Sequence, residues 1–381
     1  MKILHVTPHF WPFEGGLENL VQQISSHQVR SHEVSVLTIS HDKSLPAEEI
    51  RNGIRIFRVS GKNIFSLGYF APEQDFCNIL AEINPDVLFT HTRFFLTSFV
   101  AGRFFRVNFP HRQWIHVEHG QNSIVSRNPI IYTGAWVIDR SLGRWIFQNA
   151  NKIVSVSKGG KTFIQQCIQR DVQVIPTGVS VPIRTEPLPC QNRAIFIGRM
   201  VREKGVLEIL KVAKKSLYWN FEMVGAGPLL RSANLPNIQW RGNIPHEDIA
   251  IHVQSADLVI LPSWSESLSM SVLESCAQGR AVLATDVGEN KNILSEKFIF
   301  PARMDGILKN KLDFLQNQFE ILSKEGDKNY EYVKNHHPLD AMLSAYDTLL
   351  VPGIGIFGKH SGNLIFWCDI NIRCWDLYGF F

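Results

Sequence analysis

Two glutamates, Glu266 and Glu274, stand eight residues apart in the segment 262–279, PSWSESLSMSVLESCAQG. The apolar run DLVILPS before Glu266 is typical of a buried strand, and a short helical pattern then continues until Gly279 ends it. Glu266 is therefore expected in a loop, and Glu274 about one turn into a helix. Because carboxylates accept paired hydrogen bonds from neighbouring hydroxyls, this spacing predicts a site for a polyhydroxylated ligand.

The start of that helix adds a place for an anion. Backbone N–H groups and the helix dipole favour negative charge at a helix N-terminus, so the ligand is expected to carry phosphate as well as hydroxyls. The amides expected to face it are those of Leu268, Ser269 and Met270. A simpler alternative pairs Glu274 with Ser271 in a capping box and leaves Glu266 in solvent.

Two cations precede this segment in the chain. The run AIFIG ends a predicted strand at Gly198, Arg199 follows it, and Lys204 lies where the next helix is expected to open. Arginine gives forked hydrogen bonds to phosphate oxygens, and lysine gives a compact positive charge. Beside a helix N-terminus the pair predicts a diphosphate site, although two solvated cations near a turn would show the same sequence.

Other candidate residues follow predicted strands in both halves of the chain. Gly16 precedes a helix and permits a close backbone approach to phosphate. His119 follows the strand-like run RQWIHVE, where an imidazole can donate to a substrate or act as acid or base, although a lone histidine is more often structural. Gly225 ends the strand in EMVGAGPL, a stretch typical of a turn because Leu230 stands where a dinucleotide fingerprint has its third glycine.

Strand-like and helix-like runs alternate along the chain, and these elements must position the candidate residues. The alternation is typical of parallel sheets between helices, so the predicted fold class is α/β. A proline-rich stretch without periodicity, residues 178–193, separates two such series. We predict two Rossmann-like, doubly wound domains, residues 1–182 and 190–335. Such sheets bind ligands beyond the carboxyl ends of their strands, so two facing sheets would form a cleft lined by the candidate residues.

Composition restricts the class of protein. The chain has 381 residues, 45% of them hydrophobic, which is enough for two cores, and its net charge of +4 gives no indication of nucleic acid binding. Six scattered cysteines without a CxxC pair or a cysteine–histidine cluster indicate a reducing compartment and no metal centre. Because the sequence has no signal-peptide pattern and no apolar run of about 20 residues, a soluble cytoplasmic protein is expected.

One segment allows contact with a membrane surface. Arginines and phenylalanines are interspersed between residues 93 and 112. This composition could dock at an anionic surface, such as the inner face of the plasma membrane. The favoured alternative is a core helix with basic ends, lying between two strands.

Taken in order, these residues resemble the family 4 retaining glycosyltransferases. The resemblance covers about residues 1–350 and rests on EGGLENLVQQIS, EHG, IVSVSKGGKTFI, VIPTGV, FIGRMVREKGVLEIL, EMVGAGPL and ADLVILPSWSESLSMSVLESCAQGRAVLATDVG. The last block, with its two glutamates separated by seven residues, is highly specific. The resemblance implies the GT-B fold, two facing Rossmann-like domains with the active site between them. It also implies that a closing helix, residues 336–350, returns to the N-terminal domain, whereas the tail, residues 351–381, matches nothing in the family.

The resemblance implies a role for each matching residue. Glu274 would bind the ribose hydroxyls of a nucleotide sugar, and Glu266 the hydroxyls of the transferred hexose. Arg199 and Lys204 would hold the diphosphate in place of a metal ion, and His119 would lie near the transferred sugar. Catalytic roles therefore fall to His119, Arg199, Lys204 and Glu266. The remaining donor contacts would come from Gly16, Gly198, Gly225, Ile244, Leu268, Ser269 and Met270.

The implied activity is the retaining, metal-independent transfer of a hexose from a UDP- or GDP-linked sugar to a glycan or lipid-linked acceptor. Its expected place is the biosynthesis of cell-surface polysaccharide such as lipopolysaccharide. No cofactor is implied, because the nucleotide sugar is itself the donor substrate. Two alternatives stay open: a non-catalytic module that binds a nucleotide sugar or glycan, and a nucleotide-sugar epimerase on the same fold. Ser267, Leu268 and Ser269 stand where the family often has Gly-Phe-Gly, which bears on donor specificity.

Overall fold

The computed structural model describes residues 1–13, 15–40, 42, 44–63, 69–70, 72–120, 133, 137, 139–183 and 191–350. The tail, residues 351–381, lies outside the described residues. Two sheets that are almost entirely parallel organise the chain, one within residues 2–174 and the other within residues 193–300. Helices alternate with the strands in both, which confirms the predicted α/β class.

The first sheet contains eight strands. They are β1 (Lys2–Val6), β2 (Glu33–Ser40), β3 (Glu48–Arg51), β4 (Ile54–Ser60), β7 (Val87–His91), β8 (Gln113–Glu118), β9 (Lys152–Ser155) and β10 (Gln173–Val174), with a separate hairpin of β5 (Lys62–Asn63) and β6 (Tyr69–Phe70). The sheet order is β10-β9-β8-β7-β1-β2-β4-β3, and only β3 is antiparallel to its neighbour. The central strands β7 and β8 are buried along nearly their whole length because both faces of the sheet are covered.

Helices cover both faces of this sheet. They are α1 (Gly16–Gln28), α2 (Glu73–Ile83), α3 (Leu96–Asn108), α4 (Arg144–Asn149) and α5 (Lys158–Cys167), with a π-helical turn at Asp139–Gly143. Helix α1 packs through Leu20 and Ile24 into one buried cluster. Helices α2 to α5 pack into a second cluster, to which Phe105 and Trp114 contribute. The two clusters hold the strands rigidly, so the loops at the strand ends have a fixed base.

The second sheet contains six parallel strands. They are β11 (Arg193–Ile197), β12 (Asn220–Val224), β13 (Ile238–Gly242), β14 (Leu258–Leu261), β15 (Ala281–Thr285) and β16 (Ile299–Phe300). Their order is β13-β12-β11-β14-β15-β16, so the strand order reverses between β11 and β14. In doubly wound sheets this reversal is the point at which ligands bind.

The helices of the second domain are α6 (Val206–Ala213), α7 (His246–Gln254), α8 (Met270–Ala277), α9 (Asn290–Ile293), α10 (Asp305–Leu315) and α11 (Phe319–His336), with 3-10 turns at Arg202–Lys204 and Glu296–Phe298. One predicted helix start differs from the structure. Lys204 belongs to a 3-10 turn, and Gly205, whose φ is +75°, separates this turn from the start of α6. The left-handed backbone of Gly205 explains the separation, because an α-helix cannot continue through it. Gly279, with φ of +68°, ends α8 as the sequence predicts.

The last described helix, α12 (Leu339–Leu350), lies against the first domain. The backbone N–H of Leu339 donates to the carbonyl of Val179 over 3.1 Å. Tyr346 is buried in the cluster that α1 also enters, and His27 of α1 lies 2.7 Å from Asp347. Helix α12 thus connects the second domain back to the first.

Helix α3 lies within residues 93–112, the segment for which contact with a membrane surface is predicted. Phe105 is buried and Phe104 packs against the core, whereas Arg103 and Arg106 are exposed. Helix α3 therefore packs on the core, as the favoured alternative predicts, but these two arginines lie along its exposed side, with only Arg106 in its last turn. Across the described ranges, no helix has the length and apolar character needed to span a bilayer. Contact with a membrane surface therefore stays a prediction.

Candidate functional site

Lys204 and Glu266 meet at the reversal point of the second sheet, where the loops after β11 and β14 lie side by side. The Nζ of Lys204 donates to Oε1 of Glu266 over 2.5 Å. The backbone N–H of Trp264 donates to the carbonyl oxygen of Glu203 over 2.8 Å and joins the two loops beside this pair. A cation from one loop and a carboxylate from the other are thus brought to one place.

Glycines allow the backbones around this pair to approach closely. A Cβ on Gly205 would lie 2.1 Å from the carbonyl oxygen of Pro262, an approach that only glycine permits. A Cβ on Gly225 would lie 2.0 Å from the carbonyl oxygen of Gly198. The predicted donor-contact glycines Gly198 and Gly225 therefore lie against each other, at the carboxyl ends of β11 and β12.

Glu274 lies in α8 and faces a residue that the sequence did not indicate. Its Oε1 is 3.7 Å from Nε2 of His246, the first residue of α7. Ser269 is the N-cap residue of α8, but its side chain makes no capping bond, and the capping box of Glu274 with Ser271 is not formed. Burial raises the pKa of Glu274, and the nearby His246 opposes that effect. A carboxyl group whose ionised form is destabilised by burial in this way is typical of a functional position.

The other predicted residues of this region pack on the core of the second domain. Leu268 and Met270 pack against the core of the second domain on either side of the buried Ser269. Ile244 also packs against that core, in the loop that leads from β13 to His246. Apolar side chains thus flank the polar groups of the loop after β14 and the start of α8.

Gly16 and Met270 bring the two domains together. A Cβ on Gly16 would lie only 3.3 Å from Cγ of Met270. Gly16 is the first residue of α1 and Met270 the first residue of α8, so one helix N-terminus from each domain lies at this contact. Both helix ends contribute backbone N–H groups and a positive dipole end, a combination that favours an anion between the domains.

Glu18 is a candidate that the sequence did not indicate. Its side chain folds back over the first turn of α1, where a Cβ on Gly15 would lie 2.3 Å from Oε2. Burial raises the pKa of Glu18 to about 7, against the opposing effects of its own backbone N–H and of the Arg199 guanidinium. Arg199 of the second domain, which is exposed, therefore acts electrostatically on a buried carboxyl of the first domain.

We expect Glu18→Gln to raise the melting temperature at pH 8 by roughly 5 °C, and this gain to shrink to roughly a quarter near pH 5. Because the folded-state pKa is the higher one, folding takes up a proton, and the wild type loses stability as pH rises from about 4.5 past 7. Thermal unfolding of both proteins across this pH range measures the gap. Glu331→Gln, an exposed position in α11, is the control and should show no such trend. A gap of the same size at pH 5 and pH 8 would contradict this account of Glu18.

His119 follows β8 directly and is half-buried. Its Nε2 lies 3.2 Å from Nδ1 of His91. Burial lowers the pKa of His119 to about 4; Glu118 opposes this effect and His116 adds to it. The imidazole is therefore neutral at pH 7, with one ring nitrogen donating and the other accepting.

A buried ion pair supports the backbone that carries His119. Glu118 forms an ion pair with Arg93, in which Oε1 of Glu118 lies 2.8 Å from a guanidinium nitrogen, and it accepts a hydrogen bond of 2.7 Å from the backbone N–H of Gly120. Burial alone would raise the pKa of Glu118, but Arg93, together with His116 and the Gly120 N–H, holds it at about 2. Because both partners are fully buried, the loss of either would leave an unpaired charge directly beside His119.

A second contact between the domains involves Glu289. Its Oε1 accepts a hydrogen bond of 3.0 Å from the backbone N–H of Gly159, in the first turn of α5. The backbone N–H of Glu289 donates to the carbonyl of Ser267, in the same loop as Glu266. The loop that carries Glu266 is therefore linked to the first domain as well as to Lys204. Within the ranges that the structure covers, no group of three or more histidine, cysteine, aspartate or glutamate side chains is arranged to hold a metal ion.

Each half of the chain matches a glycosyltransferase family model. Residues 14–181 match the family model Glycosyltransferase Family 4, and residues 191–325 match the model Glycosyl transferases group 1. An uncharacterized glycosyltransferase of Methanocaldococcus jannaschii is 25% identical over 75% of this chain and 81% of its own length. The putative teichuronic acid biosynthesis glycosyltransferase TuaC of Bacillus subtilis is 33% identical over 26% of each chain.

Solved structures show the same fold. Sucrose-phosphate synthase from Thermosynechococcus elongatus superposes with a TM-score of 0.76 at 18% identity, over 91% of this chain and 98% of that one. Anabaena HepE in complex with UDP-glucose superposes with a TM-score of 0.72 at 15% identity, over 92% of this chain and 99% of that one. With two parallel-sheet domains and a match to glycosyltransferase families in each half, the chain is a family 4-like glycosyltransferase with the GT-B fold.

Proposed function

We propose that this glycosyltransferase moves a hexose, with retention of configuration, from a nucleoside diphosphate sugar to a glycan or lipid-linked acceptor. The observation that carries the proposal is the meeting of two helix N-termini at Gly16 and Met270. Arg199 acts electrostatically on Glu18 of the first of these helices, and Lys204 is bonded to Glu266 in the loop before the second. Amide groups, dipole ends and two cations are the groups that bind a diphosphate.

The two glutamates have complementary roles in the proposal. Glu274, beside His246, would accept hydrogen bonds from the ribose hydroxyls of the nucleotide. Glu266 would accept from hydroxyls of the transferred sugar. Lysine carries three N–H donors, so Lys204 can keep its bond to Glu266 while it donates to a phosphate oxygen. Lys204 would thereby contact the diphosphate while it positions Glu266 against the sugar.

In the proposed reaction, the bond from the anomeric carbon to the diphosphate oxygen breaks, and the bond to the acceptor oxygen forms on the same face of the sugar. The acceptor proton passes to the oxygen of the leaving phosphate. Negative charge builds on the diphosphate, where Lys204, Arg199 and the amide at Gly16 stabilise it. One preorganised donor of this kind contributes about 3 kcal/mol to lowering the barrier.

The comparisons favour particular substrates for a first test. HepE was solved with UDP-glucose, so UDP-linked sugars come before GDP-linked ones. TuaC is named for teichuronic acid biosynthesis, which supports a role in making a cell-surface polysaccharide. The cytoplasmic location and a peripheral membrane contact, which a lipid-linked acceptor would favour, stay predictions.

We expect UDP and UDP-glucose to raise the melting temperature in EDTA as much as in Mg²⁺, because protein cations supply the charge that neutralises the diphosphate. A ligand at 100 times its Kd stabilises the native state by about 2.7 kcal/mol, which a thermal-shift assay detects. GDP, GDP-mannose and adenosine serve as comparison ligands. A shift that appears only with Mg²⁺ would contradict metal independence, and a UDP-sugar that changes its sugar identity without an acceptor would replace transfer by epimerisation.

A further inference from the structure

Four side chains on one face of the first sheet form a continuous chain of hydrogen bonds that ends at His119. Oε1 of Gln28 lies 2.7 Å from Nε2 of His5, and Nδ1 of His5 lies 3.0 Å from Nε2 of His91. Nδ1 of His91 then lies 3.2 Å from Nε2 of His119. The chain runs from the end of α1 across the neighbouring strands β1 and β7 to the end of β8.

This row of hydrogen-bonded side chains is buried and tightly packed. Gln28, His5 and His91 are 1% exposed or less. The ring of His5 stacks on Phe89 at 4.7 Å and on His91 at 5.3 Å, so neither imidazole can turn without disturbing the core. Burial lowers the pKa of His5 to about 4 and that of His91 well below its usual range, where His5, His119 and His116 add to the effect. All three rings of the chain are therefore neutral at pH 7.

In a row of neutral imidazoles, each ring has one N–H donor and one bare acceptor nitrogen. The direction of one hydrogen bond therefore fixes the direction of the next. The oxygen of Gln28 can only accept, so Nε2 of His5 must donate to it. Nδ1 of His5 must then accept from Nε2–H of His91, and Nδ1 of His91 from Nε2–H of His119. This leaves Nδ1 of His119 as an acceptor, and it has no protein partner in the part of the chain that the structure describes.

We propose that Gln28, His5 and His91 are positioning residues that fix His119 as the Nε2–H tautomer, with its bare Nδ1 presented to a substrate hydroxyl. The inference rests on the proposed function, in which His119 lies near the transferred sugar. It makes His119 an acceptor that orients a hydroxyl, and not an acid that protonates the leaving group.

The competing arrangement is a reversed Gln28 amide. The Nε2 of Gln28 is buried without a partner among the described residues, and a reversed amide would place it against His5. Every donor in the chain would then invert, and His119 would present Nδ1–H. Gln28 thus decides whether His119 accepts or donates, although no atom of Gln28 contacts His119.

The test reads the tautomer directly by long-range proton–nitrogen NMR of the full chain labelled with ¹⁵N-histidine. His119→Phe identifies the His119 signals by their loss. At pH 7 the wild type should show a protonated Nε2 and an unprotonated Nδ1. Gln28→Glu keeps an accepting oxygen and should preserve this pattern, whereas Gln28→Met should give a mixture of tautomers. His337→Phe removes a buried histidine that is bonded to the Thr177 carbonyl, and it should change nothing at His119.

A protonated Nδ1 in the wild type, or an unchanged His119 in Gln28→Met, would overturn the proposal. Hydrolysis of UDP-glucose then tests the function separately: Gln28→Met should lower kcat by about fivefold to tenfold with little change in KM, and Gln28→Glu should restore it. If the tautomers respond as expected but kcat does not, the effect of Gln28 on the His119 tautomer is confirmed and the role of His119 near the sugar is wrong.

Discussion

Lys204→Ala should lower the rate of sugar transfer by about 10²- to 10³-fold, because it removes one preorganised donor from the leaving diphosphate. It also leaves Glu266, whose side chain is 14% exposed, without the cation 2.5 Å away, so an unpaired carboxylate would repel the phosphate. The folded state should lose little, since partly exposed ion pairs contribute about 1 kcal/mol or less. Turnover and melting temperature measured on the same preparation separate the two effects.

Lys211→Ala is the matched control for that substitution. Lys211 belongs to the next helix, α6, and its Nζ lies 3.5 Å from Asp305, with 59% of the side chain exposed. This variant should turn over at the wild-type rate. A Lys204→Ala enzyme that also keeps wild-type turnover would remove Lys204 from the catalytic residues.

Glu274→Ala should weaken UDP binding by about 100-fold, the loss expected when two charge-assisted hydrogen bonds to ribose hydroxyls disappear. The same substitution should leave the melting temperature unchanged or raise it. The reason is the raised pKa of Glu274, which means that its ionised form opposes folding at neutral pH. Calorimetric titration with UDP and thermal unfolding without ligand measure the two quantities.

Glu325→Gln provides a control for the loss of a buried carboxylate in the same domain. Glu325 accepts hydrogen bonds from Ser295 and is 8% exposed, so its substitution should cost stability without affecting UDP affinity. Wild-type affinity in Glu274→Ala, or an equal loss of affinity in Glu325→Gln, would contradict the ribose role.

The α/β class could be predicted because strands covered on both faces contain short apolar runs, such as β14 and the first three residues of β7. The β3–β4 hairpin was missed although its turn, Asn52-Gly53, has φ values of +49° and +80° and a sequence typical of hairpins. Strand β3 is a polar, largely exposed edge strand, and no apolar periodicity marks it. The hairpin at this edge of the sheet could therefore be predicted only from the sequence of its turn, and not from the pattern of its strands.

The candidate site could be predicted only where chemistry follows directly from a strand end or a helix start. Lys204, Glu266, Glu274 and Gly16 satisfy that condition. Glu18 acquires its character from burial and from a cation of the other domain, and a single helix sequence shows neither. The histidine chain joins residues that are 86 and 28 positions apart, so only the strand order β8-β7-β1 brings them together.

Every proposed role depends on a diphosphate that binds between two helix N-termini and two cations. A crystal structure of the chain with UDP, grown in EDTA, tests it most directly. The account predicts phosphate oxygens within hydrogen-bond distance of Lys204, Arg199 and the Gly16 amide, with Glu274 accepting from the ribose hydroxyls. A nucleotide bound away from these groups, or one that requires a divalent ion in order to bind, would contradict it.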